Sequence, residues 1–153
     1  MKRNNIIVLL ITLLSVVNSN LQAQEGITSP QQVAGAIAPP HRIVFQLVSG
    51  DTLAHKQLMK QLNNILSVAP GTQMEVVCHG PGLEMLISDK TIVADKIKKL
   101  TQSGVVFNAC EFSMKERNVE KSRILSEAGL VPAGIIEIVT RQEQGWSYIK
   151  SGF

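Results

Sequence analysis

Two thiols and three imidazoles are the side chains of this 153-residue chain best suited to covalent chemistry at neutral pH. Cys110 comes directly after Val105-Val106-Phe107-Asn108-Ala109, an apolar run of strand character. A cysteine delivered by a strand into a turn can meet a helix N-terminus or a neighbouring imidazole, and either favours the thiolate, the nucleophilic form. The same position also suits a small buried hydrophobe, and position alone leaves both readings open. Cys78 differs, because it lies inside Val76-Val77-Cys78 and reads as an inert core thiol. A Cys78–Cys110 disulfide needs Cα atoms within about 7 Å, and it is not expected because the two strands are read as non-adjacent.

His79 follows the strand that ends at Cys78 and opens the turn His79-Gly80-Pro81-Gly82. It could favour the thiolate of Cys110, hold an anionic substrate, or hydrogen-bond to its own loop. The candidate site is therefore Cys110 as nucleophile, with His79, Gly80, Glu111 and Ser113 as binding residues. His41 and His55 suggest no partner. Cys78-His79 plus Cys110 lacks the ligand number and spacing of a zinc site. Gly80-Pro81-Gly82 matches neither a Walker nor a dinucleotide glycine fingerprint and reads as a turn, and no serine elbow of a hydrolase is present. The expectation is chemistry with no cofactor and no metal.

Elements of alternating type must position these residues. Ile43-Val44-Phe45-Gln46-Leu47-Val48 reads as a buried strand, followed by turn and N-cap candidates in Ser49-Gly50-Asp51-Thr52. Leu58, Leu62, Ile65 and Leu66 recur at helical spacing up to Ala69-Pro70-Gly71. Met74 to Cys78 is a second strand, Leu83 to Ile87 one or two helical turns, and Thr91 to Ser103 a second main helix closed by Gly104. After the third strand and Cys110, Ser113 to Arg117 reads as a link to a helix over Val119 to Ala128. Leu130-Val131 is a short fourth strand. Ile135, Ile136, Ile138 and Val139 suit a helix capped by Gly145, and Trp146-Ser147-Tyr148-Ile149 is a fifth strand. The alternation predicts a single three-layer α/β domain, with a mostly parallel sheet of about five strands and helices on both faces. Ligands of such sheets bind beyond the carboxyl ends of the strands, which brings the turns at Ser49, His79 and Cys110 to one edge.

The chain opens on Met1-Lys2-Arg3-Asn4-Asn5, then an apolar run from Ile6 to Val17, then small and polar residues to Ala23. That is the order of a secretory signal peptide, cut after Ala23 despite the large Leu21 at the −3 position. An uncleaved anchor is the rival reading, although the run falls short of the about 20 apolar residues that span a bilayer. Residues 24–40 read as a flexible leader and 41–153 as the domain. Cleavage removes Lys2 and Arg3 and takes the formal charge from +3 to about +1, which argues against nucleic acid or a membrane surface as partner. A periplasmic or secreted location follows from the export signal. Two cysteines are too few for a disulfide scaffold.

His79-Gly80-Pro81-Gly82, Gly104-Val105-Val106-Phe107-Asn108-Ala109-Cys110, Ala133-Gly134 and Gln142-Glu143-Gln144-Gly145-Trp146-Ser147-Tyr148-Ile149 together resemble the DsrE/DsrF-like family, over about Ile43 to Lys150. The resemblance implies a compact α/β domain that assembles into trimers or hexamers. It also implies that Cys110 matches the cysteine that accepts sulfane sulfur as a persulfide in sulfur-relay members and hands it to a partner protein. Those members work in the cytoplasm, whereas this chain carries an export signal. The functional expectation is an exported sulfur carrier or thiol-redox protein acting through Cys110. His79 and the amides after Cys110 would stabilise the anion. The alternative is a non-catalytic ligand-binding or assembly module, with Trp146, Tyr148 and Phe153 as contact residues or as ordinary core and edge packing.

Overall fold

The computed structural model describes residues 40–152. The segment read as a signal peptide, nearly all of the one read as a leader, and Phe153 therefore lie outside the described residues. The elements are β1 (Arg42–Leu47), α1 (Thr52–Val68), β2 (Gln73–Cys78), a 3₁₀ helix (Gly80–Leu86), α2 (Ala94–Gln102) and β3 (Val106–Cys110). They continue with α3 (Glu111–Glu116), a 3₁₀ turn (Lys121–Arg123), β4 (Gly129–Val131), α4 (Gly134–Glu143) and β5 (Ser147–Ser151). The five strands form one parallel sheet in the order β4-β3-β2-β1-β5.

That order explains the layers. The chain moves from β1 to β4 in one direction across the sheet, and right-handed crossovers put every helix of that path on one face. The return from β4 to β5 runs the opposite way, so α4 lands on the other face. The larger core lies on the first face, where Leu58, Met59 and Leu62 of α1, Ile97 and Leu100 of α2, and Met114 of α3 meet Phe45, Leu47, Val76, Cys78 and Phe107. The second face has a small core of Val44, Val77, Val131 and Ile138, with Trp146 packed against it.

Local chemistry sets the element ends. Asp51 caps α1, its carboxylate accepting the Leu53 N–H at 2.8 Å. His55, for which the sequence suggested no partner, is buried and bonds through Nε2 to the Ser49 carbonyl at 2.8 Å. That bond ties the turn after β1 to α1.

Two expectations need correction. Glu111–Glu116 is the helix, and Val119 to Ala128 is not. Asn118 takes a left-handed φ of 51° and ends the helical path. Backbone groups beyond it bond across to the segment after β2: Leu125 N–H to the Leu86 carbonyl at 2.9 Å, and Ser88 N–H to the Arg123 carbonyl at 2.8 Å. Ile124 bridges Ile87, and Arg123 grips Asp89 through both nitrogens it offers. Val119, Ile124, Leu125 and Ala128 still pack on the core, so helix-like spacing is satisfied by an irregular strap.

The second correction concerns the thiols. β2 and β3 are neighbours, not separated strands. What keeps both cysteines free is the pleat: Cys78 pairs with Ala109 in register, so Cys110 stands one residue on and points to the opposite face.

Candidate functional site

Of the residues predicted to carry chemistry, Cys110 and His79 meet at the carboxyl edge of the sheet, on the face covered by α4. The register Cys78↔Ala109, carried one residue further, sets His79 beside Cys110. The His79 N–H still bonds to the Leu47 carbonyl at 3.1 Å, so the ladder between β1 and β2 extends to this row. Both side chains therefore leave the sheet on the same side as Val77.

Gly134, the first residue of α4, sits directly over this pair. A Cβ at Gly134 would lie 3.3 Å from the Cβ of Cys110, 3.3 Å from the Cβ of His79 and 3.1 Å from Val77 Cγ1. Because glycine leaves that space free, its backbone N–H comes down onto the thiol and donates to Cys110 Sγ at 3.2 Å. The first amides of a helix have no partner within it and carry partial positive charge, so this contact favours negative charge on sulfur. Of the amides after Cys110, the one at Phe112 is engaged elsewhere. Cys110 occupies the N-cap position of α3 but makes no capping bond, and the Phe112 N–H goes to the Pro132 carbonyl at 3.3 Å. The donor comes from α4, 24 residues along the chain.

His79 is held from the other side. Gln46 Nε2 lies 2.7 Å from His79 Nε2, and the Tyr148 hydroxyl donates to Gln46 Oε1. Burial holds the imidazole below its ordinary pKa and so favours its neutral form. Ser113, a candidate binding residue, is buried, and its Oγ accepts the Gly80 N–H at 2.8 Å, pinning the His79-Gly80 turn to α3. The serine and Gly80 thus position the turn. Glu111 is exposed in the first turn of α3.

Cys110 is 4 % exposed, whereas Cys78 is fully buried in the larger core, where burial pushes its thiol well above the ordinary value. At the far end of the α4 face, buried Glu75 accepts from Asn108 Nδ2 at 2.8 Å and pairs with Arg141 at 2.6 Å. Arg141 also pairs with Glu137 at 2.9 Å and lies 5.1 Å over the Trp146 ring. Trp146 is therefore committed to the α4 face of this domain. Among the described residues no group of three or more His, Cys, Asp or Glu could hold a metal ion, and no helix is long and apolar enough to cross a membrane.

Three residues of the site were missed by reasoning from residue chemistry: Gly134, Gln46 and Tyr148. Gly134 entered only as part of a family pattern, Tyr148 as a strand and contact residue, and Gln46 only as the polar member of an apolar strand. A glutamine flanked by Phe45 and Leu47 in a buried parallel strand is the signal that was available.

The model of the DsrE/DsrF-like family matches residues 42–151. Among solved structures, a protein of unknown function from Methanobacterium thermoautotrophicum aligns with a TM-score of 0.69 and 27 % identity, over 72 % of this chain and 98 % of its own. A conserved protein of unknown function from Bacteroides thetaiotaomicron shares the fold, with a TM-score of 0.60 and 14 % identity over 71 % of this chain and 93 % of its own. No curated protein matches the chain.

Proposed function

This chain belongs to the DsrE/DsrF-like family, which is associated with sulfur relay, and from that premise we propose that it is an exported carrier of sulfane sulfur on Cys110. The observation that carries the reading is the Gly134 N–H aimed at Cys110 Sγ from the start of a ten-residue helix. The Cys110 thiolate attacks the terminal sulfur of a polysulfide. One S–S bond forms to Cys110, the S–S bond within the donor breaks, and the shortened polysulfide leaves as an anion. The thiol proton passes to solvent or to the leaving sulfur. An acceptor thiolate then attacks the outer sulfur, takes it as a persulfide and releases the Cys110 thiolate, so no external oxidant or reductant is consumed. The burial of Cys110 favours a small donor over a bulky one. Export follows the reading of residues 1–23 as a signal peptide and 24–40 as a leader, with the domain in the periplasm or outside the cell.

The test is intact mass spectrometry of the exported protein before and after polysulfide, beside Cys110→Ser. Sulfur mass that depends on Cys110 and is removed by reductant supports the carrier; no gain on a thiol titrated as free rejects it.

A second reading, assembly without chemistry, is favoured by the outer stripe of α4. Ile135, Ile136 and Val139 are 53 %, 63 % and 41 % exposed there, and Tyr148 and Ile149 of the edge strand are each 40 % exposed. A homo-oligomer, trimer or hexamer, would cover that stripe. Light scattering on Ile136→Glu checks it: a fall to monomer supports the interface, and an unchanged mass, or a monomeric wild type, rejects it.

A further inference from the structure

The three residues Tyr148, Gln46 and His79 form a hydrogen-bonded line across three strands, and its direction has a chemical consequence. Gln46 of β1 lies two residues beyond Val44, the register partner of Tyr148 on β5, so the phenol reaches Gln46 diagonally on the α4 face. Gln46 also pairs with Val77, and His79 stands two residues further on that same face. With the phenol donating to Gln46 Oε1, the amide NH₂ faces the imidazole, where Nε2 lies 2.7 Å away. A carboxamide nitrogen only donates. His79 Nε2 must therefore accept.

We infer that Gln46 and Tyr148 are positioning residues that fix His79 as the neutral tautomer with its proton on Nδ1, so that His79 serves the sulfur site as a hydrogen-bond donor and not as a general base. The nitrogen with a free lone pair, which a base would need, is occupied by Gln46. What remains is Nδ1–H, on the ring atom adjacent to the carbon that bears the Cβ, and that Cβ flanks the same Gly134 position as the Cβ of Cys110. A ring that can only donate, borne on a Cβ next to the thiol's own, suits a site that accumulates an anionic persulfide, whereas a base would help only with the first proton. The inference rests on the sulfur-carrier reading for its purpose, but the tautomer can be measured without it.

The chain supplies its own reference. His55 Nε2 faces the Ser49 carbonyl, which can only accept, so the His55 ring must carry its proton on Nε2. Long-range ¹H–¹⁵N correlation spectra of the full domain at one neutral pH, assigned with His79→Gln, should show the two rings in opposite tautomers. Gln46→Glu replaces the donor with an acceptor and should invert His79 to Nε2–H, leaving His55 unmoved. Tyr148→Phe removes the group that orients the amide and should give a mixture of both His79 tautomers. A wild-type His79 protonated on Nε2, or a Gln46→Glu ring that keeps its proton on Nδ1, overturns the inference. Failure of Cys110 to take up sulfur, with the tautomers as described, rejects the carrier and leaves this assignment standing.

Discussion

Gly134→Ala adds one methyl group at the point where α4 meets Cys110, His79 and Val77. The φ of Gly134 lies outside the left-handed region, so alanine adopts the backbone without strain and the effect is steric. Three contacts of 3.1 to 3.3 Å are each tighter than ordinary van der Waals distance, and two of them are to Cβ atoms fixed to strand ends that cannot swing away. Overpacking of this kind costs ~1–3 kcal/mol. Alanine recovers ~0.4–1 kcal/mol by narrowing the unfolded ensemble. The net expectation is a loss of about 1 kcal/mol, or roughly 4 °C in Tm for a domain of this size. Relief of the clash lifts the first turn of α4 and lengthens the 3.2 Å contact between the Gly134 N–H and Cys110 Sγ. A hydrogen bond to a charged group is worth ~1.5–3 kcal/mol, so persulfide formation should slow by about tenfold to a hundredfold. Urea unfolding followed by Trp146 fluorescence gives the first quantity, and the rate of sulfur gain by mass spectrometry gives the second. A variant as stable as wild type that loads at an unchanged rate would refute the argument, because the methyl group would then have found room without moving the helix from the thiol.

Two further outcomes follow from buried groups. Burial pushes the Glu75 carboxyl above its ordinary value, against the opposing pull of the Asn108 amide and the Arg141 guanidinium. A carboxyl raised in the folded state contributes stability below its unfolded pKa and loses it as pH rises through the folded value. Glu75→Gln should therefore flatten the stability-against-pH curve above about pH 4, the unfolded carboxyl value, as read by urea midpoints at several pH values. An unchanged slope would show that Glu75 titrates as it does in the unfolded chain. The Cys78 thiol is pushed up by complete burial and should be inert while the protein is folded. Native Cys110→Ser should take up no iodoacetamide, and the same variant in urea should take up one equivalent; native labelling would contradict the packing.

The fold was readable because its signals are local. Runs such as Ile43–Val48 and Met74–Cys78 and the helical spacing of Leu58, Leu62 and Ile65 each announce an element without help from the rest of the chain. The helix expected over Val119 to Ala128 failed because Asn118 and the bonds to Leu86 and Ser88 are tertiary facts, which an apolar period does not record. Strand adjacency was equally invisible, and with it the reason the thiols stay apart. At the site, Cys110 and His79 were legible from residue type and strand end. Gly134 was not, since its role depends on β4 pairing beside β3 with Val131 in register with Cys110, which starts α4 directly over the thiol. Ser113 was legible only by its place in the turn after the third strand, and that its oxygen accepts the Gly80 N–H is a tertiary contact the sequence does not record.

Among the described residues, one helix covers the second face of the sheet. α1, α2, α3 and the strap share the larger core, but Ile138 is the one side chain that α4 contributes to the buried cluster beneath it. Elements with few buried contacts open at lower free energy than the whole domain. The amides of α4 should therefore exchange with deuterium earlier than those of β1 and β2, by a fluctuation that leaves the larger core closed. Each such excursion uncovers Cys110 with the strand that bears it still in place. If those amides exchange early, access to the thiol should follow how often that helix lifts, and Val44→Ala or Ile138→Ala should speed both the exchange and the alkylation of Cys110 without touching the sulfur.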